Sequence, residues 1–202
     1  MNFIQFKNSL RGFPLFSLSD ISAVNNHFDR RRLSEWKEKG YIRKIVKGHY
    51  LFTDMDMSED LLLVIANKIY RPSYISFETA MSHYHLIPEN VYMITSASTK
   101  RTYLFESSLA RFSYRTLKPA LFFGYFLLSR QIKIAYMEKA ILDYFYINPL
   151  LQTEDDFASL RINREEMLNR LNKKRLTDYV RRFSQKRLAK RMGHFLEWLE
   201  YA

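Results

Sequence analysis

The apolar residues of this chain change period at Gly40. Before it, Leu33 and Trp36 recur at helical spacing; after it, "YIRKIV" and "HYLF" are short runs rich in strand-forming residues. A side-chain set that suits a helix is scattered over both faces of a strand, so the chain must change element here. The spacing predicts a helix from His27 to Lys39, capped by Asn26 and Asp29, with Gly40 as the left-handed residue that ends it. A hairpin follows, turning at Lys47-Gly48, where glycine supplies a positive φ. Upstream, Ser17 and Asp20 have capping-box spacing, Phe16 and Ile21 occupy the staple positions, and "NFIQFKNSL" reads as a further helix. The expected order is helix, helix, basic helix, hairpin: a winged helix-turn-helix over residues 1–56.

Charge is concentrated on the same stretch, since residues 27–52 carry eight Lys and Arg. His27, Arg31, Ser34 and Glu38 fall opposite the Leu33 and Trp36 face, with Arg30 on the flank, so basic groups gather in the first two turns and acid follows. A helix that reads the DNA major groove with its N-terminal half needs that arrangement. In the hairpin, strict alternation puts Lys44, Val46 and His49 on one face and Ile45, Tyr50 and Phe52 on the other, with Lys47 at the tip near a neighbouring phosphate. The whole chain, 202 residues with a net charge of +11 and pI near 9.7, favours a polyanionic partner, either nucleic acid or an anionic membrane surface. No run of eighteen apolar residues and no apolar stretch after a basic start occur, so no membrane span or secretory signal is expected and the chain reads as cytoplasmic. Zero cysteines exclude disulfides and thiolate metal sites.

Beyond residue 56 the chain reads as a connecting helix over 57–72 and an α+β domain over 73–202. "SEDLLLVIANKIY" suits a helix buried on much of its surface, and Ser76, Thr79 and Ala80 suggest a short one after it. Strands are expected at Val91–Ser96, Thr102–Phe105, Ala110–Thr116, Phe122–Leu128 and Ile132–Ala135, forming an antiparallel sheet. Helical spacing resumes in "MEKAILDYFY". It continues through Asn163 and Glu166 in capping positions and the stripe Leu176, Tyr179, Val180, Phe183. Twelve Lys and Arg against three Asp and Glu between Arg161 and Arg191 make a second basic surface, either solvated helix faces or auxiliary phosphate contacts.

Catalysis finds little support. Glu35-Trp36-Lys37 matches a bare nuclease E-x-K but sits on a helix, and His83 and His85, two apart on a helix, make a poor metal pair. Glu138, Lys139 and Asp143 are explained most simply by a surface i, i+4 ion pair. "TSASTKR" reads as a hairpin loop rather than a phosphate cradle, and "ALFFGYFLL" as sheet core rather than a lipid or partner groove. No Gly-rich phosphate loop, nucleophile elbow or HExxH occurs, so no enzyme activity, cofactor or metal is expected.

The segments "KEKGYIRKIVKGHYLF", "YISFETAMSHYHLIPENVYMITSASTKRTYLFESSLARFSYRTLKPALFFGY", "EKAILDYFY" and "KRLAKRMGHFLEWLE" together resemble the AbiEi-type antitoxin family over nearly the whole length, the middle block being the most specific. The resemblance implies an autorepressor that binds inverted repeats through its winged helix, with an oligomer on the DNA as the expected form. It also implies a C-terminal domain that neutralises a nucleotidyltransferase-like toxin of a phage-defence toxin-antitoxin system. Carried over by position, DNA reading falls on Asn26, His27, Arg30, Arg31, Ser34, Lys44, Lys47 and His49, and the toxin-related role on the C-terminal domain as a whole. The chain departs from the family pattern at Tyr84-His85, where Tyr-Gly is expected, so either His85 takes the left-handed turn or the helix runs differently. The alternative is a winged-helix regulator whose C-terminal domain binds a small molecule or another protein.

Overall fold

A computed structural model describes residues 1–88 and 93–201. The N-terminal part runs α1 (Phe3–Ser9), β1 (Leu15–Ser17), α2 (Leu18–Val24), α3 (Arg31–Glu38), β2 (Ile42–Val46) and β3 (His49–Phe52), with the strands in the antiparallel order β1-β3-β2. Local signals account for most of these boundaries. Asn2 and Gln5 cap α1 reciprocally, Ser17 and Asp20 do the same for α2, and Gly40 and Gly48 adopt φ of 72° and 80°. Phe16 and Ile21 are both buried, as a staple requires.

Helix α3 begins four residues later than its expected start at His27. Asn25 accepts a hydrogen bond from the His27 amide, Phe28 turns inward to stack on Phe6 at 5.1 Å, and Asp29 accepts one from the Arg31 amide. Short polar side chains compete with the helix for the same amides, and here they hold residues 25–30 in turns.

The small sheet is covered on both faces. On one, Phe6, Phe16, Leu33, Trp36, Ile42 and Phe52 form an aromatic core, with Phe6 and Trp36 centroids 4.7 Å apart. On the other, Leu15, Ile45, Val46 and Leu51 join the larger core that also holds Leu61 and Val64. Two consecutive residues, Ile45 and Val46, are therefore buried, and the strand accommodates them with a bulge: Lys44 pairs with Tyr50 and Val46 with His49, leaving Ile45 between. Strict alternation, expected from the sequence, fails here because both faces of the sheet have apolar neighbours.

The remainder comprises α4 (Glu59–Ile69), β4 (Ser73–Ile75), α5 (Phe77–His83), β5 (Met93–Ser98), β6 (Tyr103–Glu106), β7 (Arg111–Thr116), β8 (Tyr125–Leu127), β9 (Lys133–Ala135), α6 (Met137–Ile147), α7 (Glu154–Ser159), α8 (Arg164–Arg170), α9 (Lys173–Phe183) and α10 (Lys186–Tyr201). The protein is thus mixed α+β. Its larger sheet has the order β6-β7-β5-β4-β9-β8 and is not wholly antiparallel, because β5–β7 and β4–β9 pair in parallel. The central strand β4 carries no sequence signal of its own: three residues, all buried, give no alternation to read. Residues 91 and 92 of the expected strand at Val91–Ser96 lie outside the described residues. "TSASTKR" does not close a hairpin, since β5 and β6 are separated by β7 in the sheet. Within "ALFFGYFLL" the strand shortens to Tyr125–Leu127, with Gly124 at φ 72° before it and Leu127 half exposed. His85, just past the end of α5, takes φ 58°, the first of the two alternatives.

Glu138, Lys139 and Asp143 are buried, not a surface ion pair. Lys139 Nζ donates to Asp143 and, at 2.8 Å, to Tyr74 Oη, while the Tyr74 and Ser76 hydroxyls each donate to Asp143 Oδ2 at 2.8 Å. Phe123 and Phe183 flank the ammonium at 5.0 Å. Glu138 accepts from the Asn172 amide at 2.8 Å and from Arg175 at 3.3 Å, tying α6 to α9. Burial pushes the Asp143 carboxyl up and the Lys139 ammonium down from their ordinary ranges. Neither side chain of the Lys139–Asp143 pair is exposed to solvent.

Candidate nucleic-acid interface

Arg30, Arg31, Arg32 and Ser34 are all exposed, on or just ahead of the first turns of α3, while Leu33 and Trp36 anchor the opposite face at 4 % exposure. Asn26 and His27 are exposed too, but in the turn preceding the helix rather than on it. Lys44 and Lys47 are exposed on the hairpin, Lys47 at its tip.

His49 parts from this group. Because Ile45 is bulged out, Lys44 shares a face with Tyr50, whereas His49 shares one with Leu51 and Leu15, toward the larger core. It is half-buried there. Lys44 and His49 therefore lie on opposite faces of the hairpin, a correction to the arrangement expected from alternation.

Not every cation is free. Arg31, 93 % exposed, is bound to Asp29 through its Nε at 3.2 Å, and Asp29 also accepts the Arg31 amide at 3.0 Å. The hydrogen bond from the Arg31 side chain, then that from its amide, holds the Asp29 carboxyl below the usual carboxylate range and the bonded guanidinium is raised in turn. The amide end of α3, where a phosphate would be favoured, is already occupied by the chain's own carboxylate. Lys39 is similarly held by Glu35 at 2.6 Å. Among the described residues, Arg30, Lys37, Arg43, Lys44 and Lys47 have no carboxylate partner.

Sequence reasoning missed Lys37 and Arg43 as exposed, unpaired cations. It also missed Asp29 as a competitor for Arg31. An Asp two residues before an Arg at a helix start is the signal that could have found it.

The second basic surface is largely committed to the fold. Seven of its twelve cations have partners: Arg164 donates to Leu199 O, Arg191 to the Phe145 and Asn148 carbonyls at the end of α6, and Arg182 lies 3.7 Å from the Phe123 ring centroid. Arg170, Lys173, Arg175 and Arg181 are ion-paired. Arg161, Lys174, Lys186, Arg187 and Lys190 remain without such partners among the described residues.

No family model matches this chain. No curated protein matches it either. Among the described residues no helix is long and apolar enough to cross a membrane.

Proposed function

We propose that this chain is a DNA-binding transcriptional repressor whose first 56 residues act as a winged helix-turn-helix. Helices α2 and α3 with the turn between them supply the helix-turn-helix, and the β2–β3 hairpin supplies the wing. The observation that carries the reading is the exposure of Arg30, Lys44 and Lys47, without carboxylate partners, on one helix start and the adjacent hairpin. Unpaired surface cations cost nothing to bring against phosphates, and their convergence on two neighbouring elements suits a groove and its flanking backbone. Arg31 and Ser34 are the candidates for base-edge contact from the exposed face of α3. His27 and Asn26 would approach the backbone from the preceding turn, and His49 would serve the hairpin's packing rather than the DNA.

The decisive experiment is a gel shift with duplex DNA from upstream of the gene that encodes this chain, against a shuffled duplex of equal length at fixed salt. A specific complex should bind about a thousandfold or more tighter than the shuffled duplex. Equal binding to both would reject a sequence-reading repressor.

The second half of the reading, neutralisation of a nucleotidyltransferase-like toxin within a toxin-antitoxin system, rests on the sequence resemblance alone. Co-expression tests it: the chain should restore growth of cells making such a toxin, and unrelieved arrest with every candidate toxin would remove that role.

A further inference from the structure

A cavity of about 380 Å³ opens where the end of α4, the start of β4 and the β8–β9 turn meet. Four cations line it, Lys68, Arg71, Arg130 and Lys133, and no carboxylate does. Like charges gathered on one concave wall repel one another, so the arrangement is unfavourable until an anion enters. A second, independent observation comes from the neutral groups. Ser73 is 2 % exposed and lines the same cavity, yet its hydroxyl has no hydrogen-bond partner among the described residues, and Asn67 Nδ2 is likewise unsatisfied. The Asn67 carbonyl oxygen accepts the Lys133 amide, which leaves its NH2 group as the spare donor. Buried donors without partners are rare in native folds and call for an explanation.

From these groups we infer that the cavity binds a small phosphorylated molecule, its phosphate taken by Arg71, Lys133 and Lys68 in front of the buried Ser73 and Asn67 donors. Lys68 is half-buried, and burial, partly offset by the Asp20 carboxylate and reinforced by Arg71, holds its ammonium below the ordinary range, a shift that an incoming anion opposes. The apolar walls contributed by Val64 and Leu127 favour a phosphate ester with an organic body over inorganic phosphate. A duplex fits less well, because Lys68 and Lys133 are half-buried in a concave wall, less open to phosphates on a rigid cylinder than to a small ligand. The inference is independent of the DNA-binding reading. Lys68 Nζ also donates to Leu15 O of β1 at 3.3 Å, so the cavity borders the N-terminal part.

Calorimetric titration of the full chain with adenosine monophosphate, inorganic phosphate and a short duplex, at fixed salt, tests it. The ester should saturate one site per chain and bind more tightly than inorganic phosphate. Arg71→Gln and Lys133→Gln should each weaken it about tenfold or more, as loss of a charge-assisted hydrogen bond implies. Lys186→Gln and Arg187→Gln, on α10, should leave it unchanged. Equal weakening by the α10 variants would identify non-specific attraction to a basic protein and overturn the site, as would absence of saturable binding. Binding of the duplex alone, reduced by Arg71→Gln, would make the cavity part of a nucleic-acid surface and equally overturn it. If Lys133→Gln lowers the melting temperature, Arg71→Gln, whose side chain is exposed, decides the matter.

Discussion

Removing the cations of the α3 start and hairpin one at a time should flatten the salt dependence of DNA binding in equal steps. Arg30, Lys44 and Lys47 are exposed and unpaired, whereas Arg31 must first leave Asp29. Three phosphates neutralised per chain correspond to a slope of log K against log salt of about −2.7, hence a loss of about 40-fold in affinity between 50 and 200 mM salt. Two chains on an inverted repeat would double the slope. Arg30→Ala, Lys44→Ala and Lys47→Ala should each reduce its magnitude by about 0.9, and Arg31→Ala by less, because the Asp29 carboxylate already offsets that charge. Fluorescence anisotropy of a labelled upstream duplex, titrated across a salt series, reads the slope directly. If the three variants keep the wild-type slope while Lys186→Ala and Arg187→Ala lower it, phosphate contact runs through α10 and the assignment to α3 and the hairpin is wrong.

Asp29→Asn should strengthen DNA binding several-fold at low salt, because the amide oxygen still accepts the Arg31 N–H while the competing charge is gone; weaker binding would show that Asp29 positions Arg31 instead. Asp143→Ala should destabilise the fold by about 3–5 kcal/mol, since it strands the Lys139 ammonium in the core; a chemical-denaturation loss below about 1 kcal/mol would contradict the buried network. In Lys139→Met the Asp143 carboxyl loses a partner that lowers it and is raised further, so the folded state holds a proton that the unfolded state has released. That variant should lose stability as pH rises from about 3.9 through the folded value; a flat melting profile over that window would refute it. Finally, the fragment 57–202 should melt below the full chain, because it loses the cover of Leu15, Ile45, Val46 and Leu51 over Leu61 and Val64. Equal melting temperatures would mean that the two parts are independent.

Elements defined by contacts three or four residues apart were legible from sequence. Ser17 with Asp20, Asn163 with Glu166, and the left-handed turns at Gly40 and Gly48 all appear where local chemistry placed them. Exposure of Arg30, Arg31 and Ser34 was legible for the same reason: Leu33 and Trp36 dictate which side of α3 is inside. The delayed start of α3 was within reach of local reasoning, because the Asn25 and Asp29 hydrogen bonds span only two residues.

Tertiary structure alone decided the rest. Ile45 is bulged, and His49 turned from Lys44, because α4 and its neighbours cover the second face of a sheet that the sequence reads as one-sided. The parallel pairings of β4 with β9 and β5 with β7 join segments far apart in the chain, and a three-residue central strand has no period to announce them. Lys139 and Asp143 have the spacing of a solvated helix pair; only Tyr74 and Ser76 at β4, Phe123 and Phe183, drawn in from three other places in the chain, make them a core network. Hydrogen bonds within a turn are specified by neighbouring residues, whereas burial is specified by whatever the folded chain brings opposite, and periodicity carries no record of that.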